Sequence, residues 1–109
     1  MPLSTTAKNT MLDALPASMT LRLHNADPGA AGANNLIAGA TTTVAYAAAA
    51  AGERDLDDTY DVAISAGESA THWSVFDGAT FIASGAYGSP ETWVNAGTAS
   101  VTSAKISLP

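Results

Sequence analysis

The chain has 109 residues, a formal net charge of −6 and no cysteine. This length predicts a single domain, the four basic residues are too few and too scattered for a nucleic-acid-binding surface, and the lack of cysteine excludes disulfides and thiolate metal sites. Alanine accounts for 24 residues and Leu, Ile, Val and Phe together for only 19, so we expect a thin core that is stabilised by neighbouring subunits.

The N-terminal segment predicts a short helix or arm. Thr5–Leu15 has partial helical spacing of apolar residues with a threonine at its start as the cap, and Pro16 ends it. We assign residues 1–18 to this arm and residues 19–109 to the remaining domain. Because the later strands can close a core by themselves, residues 1–15 are expected to contact a neighbouring molecule. The candidate interface residues are Leu3, Met11, Leu12 and Leu15.

The first predicted strand runs into a turn-rich loop. Leu21 and Leu23 alternate with polar residues and are assigned to the core. Asp27, Pro28 and Gly29 follow with turn chemistry, because an Asp can bond its own downstream backbone, a Pro has a fixed φ and a Gly is free to take a positive φ. These three residues are predicted to form a structural turn.

The rest of the chain predicts short strands separated by Gly, Pro and Asn. Asp77-Gly78 is typical of a two-residue hairpin. Closely spaced strands of this kind predict an all-β fold, an antiparallel β-sandwich or jelly-roll-like single domain with a short N-terminal helix or arm. The predicted later strands are 41–47, 60–64, 71–76, 81–87, 92–94 and 100–108. The further predicted core residues are Trp73, Val75, Phe76, Phe81 and Trp93.

Candidate catalytic and metal-binding groups all have simpler structural interpretations. His24 and Asp27 are the residue types of a base and its orienter, but no Gly-x-Ser-x-Gly motif supplies a nucleophile, and a turn or interface role is favoured; His72 is interpreted in the same way. The acidic segment 53–61 has the best cation ligands, yet the spacing from Asp57 lacks the glycine of a calcium loop. We therefore predict a solvated charged loop, with no metal site and no catalytic residue.

Two segments of the chain carry a resemblance to known proteins. In Leu21–Asn34 a leucine-alternating strand is followed by His, Asp-Pro-Gly and then Gly-Ala-Asn. In Ala66–Asp77 an Ala-Gly pair precedes Thr-His-aromatic and Phe-Asp. Both patterns resemble a family of small tailed-phage virion proteins, often labelled tail fibre proteins, some of which coat capsids as decoration or minor capsid proteins.

The resemblance continues to the C-terminus with one interruption. Ser84–Tyr87, then Pro90–Thr92, then the closing Thr102–Leu108 are similar to the C-terminal part of the family. After Gly39, where the family has a stretch of the Gly-Gly-Ser-Tyr-Ala-Arg type, this chain has Ala40–Tyr46. No role of that arginine is therefore carried over.

The resemblance implies a non-enzymatic structural protein of the virion, assembled in the host cytoplasm. The expected function is that of a capsid decoration (minor capsid) protein that binds and stabilises the lattice of the major capsid protein. It is expected to bind itself as a homo-oligomer, with a trimer favoured, and to need no cofactor, nucleic acid or membrane. The first alternative is a tail-fibre or tail-tip component, although the chain has no extended repeat. The second alternative is a carbohydrate-binding module that uses exposed aromatic residues.

Overall fold

The computed structural model describes residues 3–108. It is an antiparallel all-β domain with one short N-terminal helix, which confirms the predicted fold class. Met1 and Pro2 of the predicted arm, and Pro109 of the predicted β-domain, lie outside the described residues. The elements in chain order are α1 (Thr5–Asp13), β1 (Ser18–His24), β2 (Leu36–Ala45), β3 (Glu53–Arg54), β4 (Tyr60–Ile64), β5 (Ser69–Asp77), β6 (Thr80–Thr92), β7 (Gly97–Val101) and β8 (Ile106–Ser107).

A four-stranded sheet in the order β2-β1-β5-β6 dominates the domain, and two-stranded ladders join β4 to β7 and β3 to β8. Residues of β1 and β5 face each other in pairs such as Leu21 with Val75 and Leu23 with Trp73. Because side chains alternate along a strand, these pairs share one side of the sheet, which we call the inner face. The inner face packs on Val62 of β4 and its neighbours in β7, and this contact forms the core.

The predicted core residues divide between the two faces of the sheet. Leu21, Leu23, Val75 and Trp73 lie in the core cluster on the inner face, as predicted. Phe76 is buried too, but it pairs with Thr20 on the opposite side, the outer face. The prediction was wrong for Phe81 and Trp93, which are only half-buried. Phe81 lies against Phe76 with 5.4 Å between ring centroids, and Trp93 packs on the margin of the core.

The cap of helix α1 lies one residue before the predicted capping threonines, at Ser4. Ser4 has extended backbone and its Oγ accepts a hydrogen bond from the backbone N–H of Ala7 at 3.1 Å, which satisfies one of the free donors of the first turn. The helix ends at Asp13, before Pro16, in agreement with the predicted stop. Only Leu12 of this helix is fully buried.

The hairpin between β5 and β6 lies one residue later than predicted. Asp77 pairs with Thr80, so the two loop residues are Gly78 and Ala79. Gly78 has a φ of +59°, and a glycine with positive φ at the first loop position is what a type II′ turn requires.

The last strands differ most from the sequence-based boundaries. β6 runs without interruption from Thr80 to Thr92, where the sequence predicts two strands separated by a turn near Pro90. The predicted strand 100–108 is two short strands, β7 and β8, separated by residues 102–105. Pro90 is tolerated inside β6 because β6 is at the edge of the sheet, where a missing backbone donor need not break a ladder.

Candidate functional site

The loop between β1 and β2, residues 25–35, folds back over the outer face of the sheet, and we call it the covering loop. Its two ends are joined by a hydrogen bond from the Asn25 backbone N–H to the Asn35 carbonyl at 2.9 Å. Pro28, at the start of the loop, is fully buried. The loop therefore belongs to the folded body of the domain.

The predicted structural turn closes this loop. The backbone N–H of Gly29 donates to Oδ1 of Asp27 at 2.8 Å, and Gly29 has a φ of +79°. The Pro28 carbonyl accepts from the backbone N–H of Asn34 at 2.9 Å, and the Asn35 side-chain amide donates to the Asp27 carbonyl at 2.9 Å. The three residues act together to reverse the chain, as predicted from their turn chemistry.

A buried histidine connects the covering loop to the sheet. Nδ1 of His24 lies 2.8 Å from the carbonyl oxygen of Asn34, and Nε2 lies 2.7 Å from Oγ of Ser74. A carbonyl oxygen only accepts, so Nδ1 carries the proton and Nε2 accepts the hydrogen bond from Ser74. Both side chains are fully buried. Burial lowers the pKa of His24 below its usual range, and the nearby Arg22 and His72 lower it further.

His24 and Ser74 form the hydrogen bond that a catalytic base and its serine nucleophile would make, but the serine is not accessible to a substrate. The Ser74 side chain is fully buried under the covering loop, so a substrate cannot reach Oγ in this conformation. The group that orients His24 is the backbone carbonyl of Asn34 and not the carboxylate of Asp27. The arrangement fits the structural role predicted for His24. Both ring nitrogens of this buried side chain have a hydrogen-bond partner.

Aromatic contacts complete the outer face. The guanidinium of Arg22 lies over the ring of Phe76, 4.3 Å from its centroid, and Phe81 stands beside it. Gly32 of the covering loop has a φ of +71°, and a Cβ at this position would overlap the Phe81 ring. The loop can approach the sheet this closely because residue 32 has no side chain.

A second anchor fastens α1 to the same domain. Arg54 is only 5% exposed; its Nη1 donates to the carbonyls of Leu12 and Leu15 at 2.9 and 2.8 Å, and its Nε donates to the carbonyl of Ala47 at 2.8 Å. These bonds hold the carbonyl of Leu12, in the last turn of α1, and that of Leu15, two residues beyond the helix. This role of Arg54 was not predicted, because the residue lies in a charged segment interpreted as a solvated turn.

The position of α1 corrects two of the four predicted interface residues. Leu12 is 2% exposed and belongs to the domain's own core, and Leu15 packs against that core. Leu3 and Met11 are 41% and 52% exposed. Since α1 provides core residues, the later strands do not close the core alone. Only the exposed pair remains available for contact with another molecule.

The acidic segment binds its own chain. Oδ1 of Asp55 accepts from the backbone N–H of Ala104 at 2.9 Å and Oδ2 accepts from the Ser103 hydroxyl at 2.7 Å. Asp57 accepts from the Tyr60 hydroxyl at 2.6 Å, a bond that raises the pKa of Tyr60. Within residues 3–108 no three His, Asp or Glu side chains converge as metal ligands would.

Three of the aromatic side chains considered for sugar stacking are turned inward. Tyr46 and Tyr87 are buried, and their hydroxyls donate to the carbonyls of Ala104 and Ser100. Burial, together with the charge of Asp55, raises the pKa of Tyr46 strongly. Trp73 is also buried. The described part of the chain thus has no row of exposed rings, which the carbohydrate-binding alternative requires.

A groove of about 380 Å³ runs beside the exposed edge of β6. One wall is residues 84–88 of β6 and the other is the segment that carries Ser103 and Lys105. At its base the Trp73 indole packs so closely on Gly85 that a Cβ there would lie 2.8 Å from Cζ2. Nζ of Lys105 is 3.2 Å from the Glu53 carboxylate in an exposed ion pair. The groove is therefore lined mainly by small side chains and backbone.

Comparisons of the chain with protein-family models, with curated proteins and with solved structures found no match. Among residues 3–108, no helix has the length and apolar character needed to cross a membrane.

Proposed function

We propose that this chain is a structural protein of a tailed-phage virion, and specifically a capsid decoration (minor capsid) protein that binds the lattice of the major capsid protein. One observation carries the proposal. The two segments that resemble the family, Leu21–Asn34 and Ala66–Asp77, are far apart in the sequence but are adjacent in the fold. β1 pairs directly with β5, and His24 bonds to both Asn34 and Ser74.

This adjacency supports the resemblance, because the residues that resemble the family contact one another and stabilise the same part of the fold. The histidine, the Asp-Pro-Gly turn and the β5 strand form one unit, in which a strand, its return loop and a neighbouring strand are held by buried hydrogen bonds. A pattern that builds a scaffold, with no open polar cluster, suits a protein whose role is to bind and reinforce. The lack of an extended repeat within the chain also favours decoration over a fibre.

We assign the contact with the capsid lattice to the exposed side of α1. Met11, on α1, and Leu3, just before the Ser4 cap, are large apolar side chains left in solvent, although the helix itself is fastened to the domain. Apolar side chains of this kind contribute to an interface when they are buried against a partner. A helix held by Arg54 presents them in a defined position, so little conformational entropy is lost on binding.

The experiment that tests the function is localisation on the virion. Cryo-electron microscopy of wild-type particles and of particles lacking the gene should show density for this protein on the outer surface of the head only in the wild type. Heads without it should assemble but lose resistance to heat, since a ligand that binds only the assembled lattice stabilises that form by mass action. Density on the tail, with intact heat-resistant heads in the deletion, would assign the protein to the tail.

The assignment of α1 is tested separately by a matched pair of variants. Met11→Gln removes an exposed apolar side chain, whereas Thr10→Gln changes the adjacent exposed position. Purified Met11→Gln protein should bind undecorated heads at least fivefold more weakly than wild type, while Thr10→Gln binds normally. Equal binding by all three proteins would show that this side of α1 does not contact the lattice.

A further inference from the structure

The covering loop is attached to the sheet at few points. Its turn and its two ends are closed by hydrogen bonds among the loop's own residues. Within residues 3–108, the bond from Nδ1 of His24 to the Asn34 carbonyl is the only hydrogen bond that joins residues 26–34 to a strand. The other attachments are the buried ring of Pro28 and the close approach of Gly32 to Phe81. The loop can therefore leave the sheet without the loss of any strand pair.

The main core does not depend on this loop. The core cluster lies on the inner face and includes none of residues 25–35. The strands on both sides of His24 are paired through their own ladders, β1 with β2 and β1 with β5. Opening of the loop uncovers His24, Ser74 and the Phe81 ring on the outer face. It is therefore a local transition, separate from unfolding of the domain.

His24 is surrounded by groups that accommodate only its neutral ring. Arg22 on its own strand and His72, its partner across the ladder on β5, both oppose a positive charge on it. β2, on the other side, has no titratable side chain. The covering loop has one, Asp27, but this carboxylate is exposed and accepts from the Gly29 backbone N–H. Both hydrogen-bond partners of the His24 ring are uncharged, so a charge on the ring is buried without a counter-ion.

A second proton on His24 also disturbs Ser74. This proton must go to Nε2, because Nδ1 already carries the one donated to Asn34. Nε2 then donates to Ser74 Oγ, and the Ser74 hydroxyl loses the acceptor that it uses in the neutral state. No other partner of this hydroxyl lies within hydrogen-bond distance among residues 3–108. A buried cation and a buried hydroxyl without an acceptor both cost free energy, and water relieves both once the loop opens.

We propose that protonation of His24 at Nε2 releases the covering loop from the outer face while the strands remain paired. At neutral pH the loop stays closed, because the neutral ring bonds to both Asn34 and Ser74. In acid the proton enters from solvent, the charged ring is hydrated only in the open form, and the equilibrium shifts toward that form. This inference does not depend on the virion role.

Linkage limits the size of this effect. In the open form His24 is exposed and has the ordinary histidine pKa of 6.5, so at pH 5.0 its protonated form outnumbers the neutral form by about 30 to 1. One histidine can therefore raise the ratio of open to closed loop by at most about thirtyfold between pH 7.5 and 5.0. A larger rise would require a second titrating group.

Native-state hydrogen exchange of the full chain, followed residue by residue by NMR, tests the proposal. The amides of Asn25, Gly32 and Asn34 are bonded within the loop and exchange when it opens. Between pH 7.5 and 5.0 their exchange rates, divided by the intrinsic rate at each pH, should rise at least fivefold and at most about thirtyfold. The rise should be the same in 0 and 1 M urea, because local opening exposes little surface. Amides of the β4–β7 ladder should exchange more slowly and respond to urea.

Two variants assign the effect to one histidine. His24→Gln keeps a donor and an acceptor at this position but takes up no proton, so its loop amides should show no rise. His72→Gln removes only the neighbouring titratable group and should keep a rise within the same range. The proposal is overturned if the loop rates do not change with pH, if they equal the urea-sensitive rates of the β4–β7 ladder, or if the rise persists in His24→Gln.

The nitrogen chemical shifts of the imidazole ring give a test on the wild-type protein alone. At pH 7.5 the His24 ring should be neutral with its proton on Nδ1, since the Asn34 carbonyl accepts from that atom. Loop exchange should begin to rise near pH 6.5 and level off where the ring becomes protonated in the closed form. A ring that carries its proton on Nε2 at pH 7.5, or one that titrates at pH 6.5 or above, contradicts the mechanism.

Discussion

Replacing Arg54 by methionine tests whether the buried guanidinium holds α1 on the domain. Methionine preserves much of the side-chain volume but cannot donate to the carbonyls of Leu12, Leu15 and Ala47. A hydrogen bond from a charged group contributes about 1.5–3 kcal/mol, and a buried group left without its partner costs about 1–3 kcal/mol. Allowing for the guanidinium no longer being desolvated, we expect the free energy of unfolding to fall by about 3–5 kcal/mol.

Urea denaturation followed by tryptophan fluorescence measures this loss. A domain of this size has a total stability of about 5–15 kcal/mol, so the variant should be close to unfolding. Arg54→Lys should recover only part of the loss, because one ammonium cannot match the guanidinium's fixed set of donors. Arg22→Met is the control: it removes only the stacking on Phe76 and should cost about 1 kcal/mol or less. Equal losses for Arg54→Met and Arg22→Met would refute the anchoring role.

The remaining predictions concern the covering loop. Gly32→Ala should destabilise the domain by about 2–4 kcal/mol, because the added Cβ overlaps Phe81 and residue 32 has a positive φ. Gly39→Ala is the control: residue 39 also has a positive φ, of +77°, but lies in open space, so this change should cost only about 1–2 kcal/mol. Equal losses of unfolding free energy in urea denaturation would show that the loop does not press on the ring. Burial lowers the pKa of His24 in the folded protein below 6.5, so as the pH falls the histidine is protonated in the unfolded chain before it is protonated in the folded one. The free energy of unfolding should therefore be constant above pH 6.5 and decrease as the pH falls from 6.5 through the pKa of the folded state. That slope, measured by urea denaturation between pH 7.5 and 5.5, should disappear in His24→Gln and persist in His72→Gln; a slope unchanged in His24→Gln would assign the proton uptake elsewhere.

The strands were predictable where one face is apolar. Leu21, Leu23 and Val75 follow the two-residue period, and the sequence placed them correctly because alternation is a local property. The outer face could not be found in this way. His24 and Ser74 occupy polar positions of their strands, and they are buried only because the covering loop folds back over them. Burial of that kind depends on tertiary contacts that periodicity does not encode.

The roles of Arg54 and Pro90 also depend on tertiary contacts that the sequence pattern does not reveal. Arg54 lies among acidic residues and its partners are carbonyls of residues about 40 positions away, which no spacing rule identifies. Pro90 is a strong turn signal, but its effect depends on whether the strand is central or at an edge. The end of helix α1, by contrast, was predicted to within two residues, although its role changed from an arm to a part of the core.

The clasp formed by Asp55 on residues 103 and 104 also constrains the order in which the molecule can fold. Within residues 3–108, β3 pairs only with β8, and the Tyr46 hydroxyl donates to the carbonyl of Ala104, so both contacts need the C-terminal residues. Contacts of such long sequence separation form late because loop closure precedes any gain from them. During synthesis the pairing of β3 and the hydrogen bond of the Tyr46 hydroxyl therefore form only after residues 104–107 have been made.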